Sequence, residues 1–215
     1  AENRTTIDDF GYPLDMALSP DGIKMAVSYM RVNGNKISTH IAFYNFGSAG
    51  QMELNNQVGE LNVDDVLAPQ IFFCDNSTAV AVRTDGFTVF SGSQSPKEKK
   101  TVKFDQEIIS TFHDGNRIGF VFDGGDSGHK YLMKVYNTGG KNTMQKYFDL
   151  QYNSITLQKD KIVLFNEKEF AIYKLNGQKT FQGKYRKPIQ NVLSIRGFRK
   201  YMVITEDSAD LIRLG

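Results

Sequence analysis

The sequence predicts an all-β chain assembled from repeated four-stranded antiparallel sheets, and three observations point there. Helical spacing is missing. No sustained run places apolar residues at i, i+3, i+4 and i+7, whereas short β-rich runs recur, each bounded by Gly, Asn or Asp. Many of these runs ("IGFVF", "IVLF", "YMVIT", "AVAV") are apolar at consecutive positions. A strand with one wet face alternates, so these strands are expected to be covered on both sides by sheets stacked face to face. One ending also repeats: Phe43-Tyr44-Asn45 before Gly47, Val89-Phe90-Ser91 before Gly92, Val135-Tyr136-Asn137 before Gly139, and Ile172-Tyr173-Lys174 before Gly177. The rings at 44, 90, 136 and 173 are 46, 46 and 37 residues apart, in or near the roughly 40–50-residue period of propeller blades. Stacked radially, such sheets make a β-propeller, here of about five blades.

The elements follow in order as one domain over residues 1–215, with units near 14–60, 69–105, 107–149, 152–185 and 189–214. The first unit has strands at 14–19, 24–30 and 40–46, then a poorly patterned stretch after Gln51. The second has strands at 69–74, 78–83, 87–92 and 100–105, and the third at 107–112, 117–122, 131–137 and 143–149. The fourth has strands at 154–158, 161–166, 170–175 and 179–185, and the last at 190–195, 200–205 and 210–214. Between them lie "PDG", "VNGN", "TDG", "DGGDSG", "NTGG" and "LNGQ", where Gly and Asn tolerate the positive φ of tight turns. The last unit lacks a fourth strand, and residues 3–10 stand unpaired before the first. Either that N-terminal segment completes the last blade, or the chain is an open part of a larger propeller. The second arrangement leaves edges bare and invites a homodimer through the end blades.

Composition excludes several function classes. The chain has 215 residues, a net charge of +2 and 23% charged residues, too mild a balance to imply nucleic acid or an anionic membrane as partner. Cys74 is the only cysteine, so no internal disulfide and no Cys-based metal site can form; in "IFFCDN" it is expected to be a small buried residue. No apolar run approaches a membrane span of about 18 residues. No signal peptide is visible, and the chain begins with Ala rather than Met, consistent with a piece of a longer protein.

"LSPDGIKMAVSYM" (from Leu18) looks like the start of a WD40-like blade. Together with "IAFYNFGSAGQ" (from Ile41) and the closing "LIRL" (from Leu211), it resembles a bacterial family of unknown function. Members of that family carry an N-terminal membrane helix and a WD40-like propeller outside the cell. The resemblance covers nearly all of this chain but only the C-terminal part of that ectodomain. It implies a membrane-anchored parent with this domain on the extracellular face, attached through a segment absent here. It carries over no catalytic residues.

Candidate chemistry is sparse. Ser19-Pro20-Asp21-Gly22 reads as the turn between two strands: Pro20 presets φ, and no G-x-S-x-G elbow surrounds Ser19. "FDGGDSGHKY" offers Asp123, Asp126, Ser127 and His129 on a Gly-rich loop. The alternates to Asp123 are Gly125 and Ser127, which is acid-poor for calcium, so a solvated hairpin loop is favoured. His40, His113 and His129 show no zinc spacing, and neither metal nor cofactor is expected. The basic clusters at 97–100, 184–187 and 196–200 read as solvated turns or blade edges.

Two functions follow. The first is a non-catalytic scaffold binding a protein, a peptide or an envelope glycan through the loops that join second and third strands, at 31–39, 84–86, 123–130, 167–169 and 207–208. Its candidate ligand-binding residues are Asn33, Lys36, Asp123, Asp126 and His129. The alternative is a hydrolase of glycans or peptides, with carboxylates drawn from several blades.

Overall fold

A computed structural model describes residues 10–195 and 199–214. Residues 3–9, expected to form the N-terminal strand, and residues 196–198 of the last basic cluster lie outside that range. The described residues form five antiparallel sheets, four of four strands and one of three. The chain divides into two compact units, 1–108 with 138–140, and 109–137 with 141–215.

The first unit holds two blades. Blade one is β1 (Tyr12–Leu18), β2 (Lys24–Asn33), β3 (Lys36–Asn45) and β4 (Gln57–Asp64), hydrogen-bonded in that order. Blade two is β5 (Gln70–Phe73), β6 (Thr78–Arg83), β7 (Gly86–Ser91) and β8 (Lys97–Lys103). The opening turn is what its residues dictate. Gly22 has a φ of 71°, its N–H donates to Ser19 O at 2.8 Å, and the Asp21 carboxylate accepts from Ile23 N at 3.1 Å. Ser19 Oγ accepts from Lys24 N at 2.9 Å, so this hydroxyl is part of the turn. The poorly patterned stretch after Gln51 contains a short 3-10 turn (Leu54–Asn56) and then β4.

The predicted loop over 31–39 is corrected. Strands β2 and β3 run on to the pair Asn33↔Lys36, leaving only Gly34 and Asn35 as the turn. Gly34 has a φ of 61°, and a glycine at the first central position is what a two-residue II′-type hairpin requires.

A core of Ala26, Ile41, Phe43, Ile71, Ala79, Ala81 and Phe90 fills the space between the two sheets, and the Phe43 and Phe90 rings are 4.8 Å apart. Side-chain hydrogen bonds tie one blade to the connections of the next. Ser28 Oγ donates to Ala68 O at 2.6 Å, Thr39 Oγ1 to Val66 O at 2.7 Å, and Ile71 N donates to Asp15 Oδ2 at 2.8 Å.

The second unit holds three blades. Blade three is β9 (Ser110–Asp114), β10 (Arg117–Asp123), β11 (Tyr131–Asn137) and β12 (Asn142–Phe148). Blade four is β13 (Ser154–Gln158), β14 (Lys161–Phe165), β15 (Glu169–Lys174) and β16 (Lys179–Lys184). The last is β17 (Asn191–Ser194), β18 (Lys200–Ile204) and β19 (Ala209–Arg213). Blade four explains the non-alternating sequence. Ile162, Leu164, Ala171 and Tyr173 face the core shared with blade three, while Val163, Phe165, Phe170 and Ile172 face the core shared with the last blade. Both faces of β14 and β15 are therefore dry.

The repeated aromatic also has a structural counterpart. In all four four-stranded blades, the register between third and fourth strands shifts at that ring: at Phe43/Tyr44, Val89/Phe90, Val135/Tyr136 and Ile172/Tyr173. Each shift leaves one extra residue on the outer strand, a β-bulge that bends it and increases its twist.

Candidate functional site

The five sequence-predicted residues fall into different compact units. In the first unit, Asn33 and Lys36 face each other across the β2–β3 hairpin tip, both exposed. Beside that tip a small depression of about 320 Å³ is lined by Asn35, Ile37, Asp65, Val66, Leu67 and Thr84.

In the second unit, the β10–β11 loop carries Asp123, Asp126 and His129. Asp123 closes its own turn, accepting from Gly125 N at 2.8 Å. Asp126 sits exposed on a short 3-10 turn (Gly125–Ser127), ended by Gly128 with a φ of 78°. His129 has a partner that sequence reasoning missed: its Nδ1 lies 2.9 Å from Asp149 Oδ2. The other carboxylate oxygen of Asp149 accepts from Lys130 N at 2.9 Å. The His129 ring stacks on Tyr147, with centroids 5.7 Å apart and planes inclined by 20°. The hydrogen bond from His129, followed by that from the Lys130 amide, holds the Asp149 carboxyl below its usual value. Asp149 thus clamps the C-terminal end of the loop to the end of β12. No local signal announced this, since a carboxylate twenty residues away in sequence meets the loop through strand pairing alone.

The clamp borders an open groove of about 930 Å³. One wall is the end of β12 and the chain after it, from Lys146 to Gln151; the other is the β14–β15 turn at Asn166–Glu169 with β16. Five lysines line it (Lys130, Lys146, Lys168, Lys179 and Lys184) against three carboxylates, Asp149, Glu167 and Glu169. Asn166 shapes the turn, its Oδ1 accepting from Lys168 N at 2.8 Å and Glu169 N at 3.0 Å. Among the described residues no three His, Cys, Asp or Glu side chains converge as metal ligands. Ser127 Oγ accepts from the His129 backbone N–H at 3.2 Å, while the ring bonds to Asp149. The lone thiol, Cys74, is half-buried, and burial first, then Asp75, pushes its pKa up to about 12.

Residues 1–214 match a family described as a family of unknown function (DUF5711). The chain belongs to that family. No curated protein matches this DUF5711 chain. Solved structures of β-propeller proteins align with it, which shows the fold. Sqt1 from Chaetomium thermophilum aligns with a TM-score of 0.61 at 11% identity, covering 95% of this chain and 62% of Sqt1. Hsv2 from Kluyvelomyces marxianus aligns with a TM-score of 0.56 at 10% identity, covering 94% of this chain and 72% of Hsv2. A eukaryotic initiation factor aligns with a TM-score of 0.56 at 12% identity, covering 91% of this chain and 49% of that one. The DUF5711 chain is thus shorter than each of these propellers. No helix among the described residues is long and apolar enough to cross a membrane.

Proposed function

We propose that this chain is a non-catalytic propeller scaffold that binds a partner protein, with the groove of the second unit as its contact surface. The observation that carries this reading is the groove itself: a broad, polar, open surface on a rigid frame of paired strands, bordered by a loop clamped at Asp149. Loops held on a rigid scaffold are where binding residues concentrate. The openness and polarity suit a partner's surface better than an enclosed small molecule. An extracellular, membrane-anchored setting, implied by the sequence resemblance, is part of the same proposal; protease accessibility on intact cells checks it.

The test is partner capture followed by cross-link mapping. Replacing His129, Lys130 and Lys168 together by Ala is expected to abolish capture and leave the thermal midpoint unchanged. Replacing Asn33 and Lys36 by Ala probes the hairpin tip of the first unit. Capture that survives the first set and fails with the second would move the contact surface to that tip. The hydrolase alternative draws on the His129–Asp149 pair. Turnover in a broad substrate screen that disappears in His129→Ala would favour it.

A further inference from the structure

We infer that the groove takes an extended, acidic segment of a partner protein, which adds as a strand to the free edge of β16. This rests on the groove being the contact surface.

The backbone supplies the first argument. Among the described residues β16 ends its sheet, pairing only with β15. Tyr185 N donates to Lys168 O at 2.8 Å, so residue 185 points its N–H toward β15, and by strand alternation so do Gly183 and Phe181. The N–H and C=O groups of Gln182 and Lys184 therefore point away from the sheet. Among the described residues nothing accepts from or donates to them. A second depression, about 560 Å³, runs along this strand and shares Glu169, Lys179, Gln182 and Lys184 with the main groove. An unpaired edge beside open volume is the geometry that strand addition uses, with main-chain hydrogen bonds for affinity and flanking side chains for selection.

Charge supplies the second argument. The ammonium groups of Lys130, Lys146, Lys168 and Lys184 form no ion pair with a carboxylate among the described residues. Asp149 is already engaged by His129 and the Lys130 amide. Lysines on an edge strand ordinarily deter pairing with other strands. Here they deter the chain's own basic outer strands, such as β8 with its sequence KEKKTVK, and admit a strand of opposite sign.

The probe is a short fluorescein-labelled peptide alternating Glu and Val, with a Lys–Val peptide as control and a sulfated heparin oligosaccharide as competitor. The acidic peptide is expected to bind, more weakly as salt rises, and the basic one not to bind. Lys168→Glu with Lys184→Glu should weaken binding by at least about tenfold, as losing charge complementarity does. Gln182→Pro removes an outward N–H that the ladder does not use, which an edge strand tolerates, and should weaken binding by a similar factor. In the unaltered chain, the peptide should slow amide exchange at Gln182 and Lys184, a readout independent of whether the proline variant folds.

Binding with no protection at Gln182 and Lys184 would overturn strand addition. So would heparin binding as tightly as the peptide and in the same place, which would make the ligand a glycan. If neither peptide binds while a captured partner still depends on His129, Lys130 and Lys168, this inference fails and the scaffold reading stands. Capture independent of those three residues would overturn both.

Discussion

Arg83 is buried at the end of β6, and its guanidinium forks onto Asp85, Nε to Oδ1 at 2.7 Å and Nη2 to Oδ2 at 2.8 Å. Nothing in "AVRTDG" announces this pair, because burial of the arginine comes from packing rather than from its neighbours in sequence. Asp85→Asn would leave a buried cation without its counter-charge and is expected to cost about 2 kcal/mol in urea denaturation, less than a fully buried pair because Asp85 is partly exposed. His40 is buried too, at 1% exposure. Its Nδ1–H donates to Asn62 Oδ1 at 2.8 Å, while buried Nε2 has no hydrogen-bond partner among the described residues. Burial, partly offset by the Asn62 bond, holds its pKa below the ordinary 6.5. The folded state therefore binds this proton less readily than the unfolded one. Stability from His40 is fully present above pH 6.5 and is lost as pH falls below it. Urea midpoints compared on either side of that pH should fall on acidification, with a smaller fall in His40→Gln. For Asp149, depressed from 3.8, the carboxyl resonance should titrate with a midpoint under 3.8, and the loop clamp should loosen only below that pH.

The four bulges act at the scale of the element. The outer strand of each four-stranded blade carries one extra residue opposite the repeated ring: Val58, Lys99, Thr143 and Thr180. Two of them, Thr143 and Thr180, close the bulge with a side-chain hydrogen bond to the third strand, each at 3.1 Å. Losing the extra residue would remove the bulge, and with it the local bend and the added twist of the outer strand. Deleting Lys99 should destabilise the chain by more than about 2 kcal/mol, whereas Lys99→Ala, at an exposed site, should stay within about 0.5 kcal/mol. Circular dichroism melts of both variants decide between a bulge that matters and a tolerated irregularity. The sequence showed the repeated aromatic and its spacing but not the bulge. Turn chemistry made the strand order legible; the strand extension past Met30 was hidden, because "RVNGNK" reads as a loop until its two halves pair.

At the scale of the whole molecule, each compact unit has its own dry cores, and stability should respond accordingly. Phe90→Ala removes a fully buried ring packed on Phe43 and is expected to cost about 3–5 kcal/mol. Native-state amide exchange should show the loss first in strands β2, β3, β6 and β7, which surround that ring's core. Uniform loss across β10, β11, β14 and β15 would contradict that localisation. By itself, the sequence determined the all-β class, the blade period, the order of strands and the two-sided burial of the middle ones. Those follow from local turn chemistry and from short runs that are apolar at consecutive positions, both written along the chain. It also marked His129 as a residue to watch. Only the tertiary structure decided what His129 meets, that Gln182 and Lys184 turn their backbone outward, and that lysines from separate strands share one groove. Those facts depend on which strands end a sheet and which residues are brought side by side across it, and strand pairing joins positions that linear spacing keeps apart.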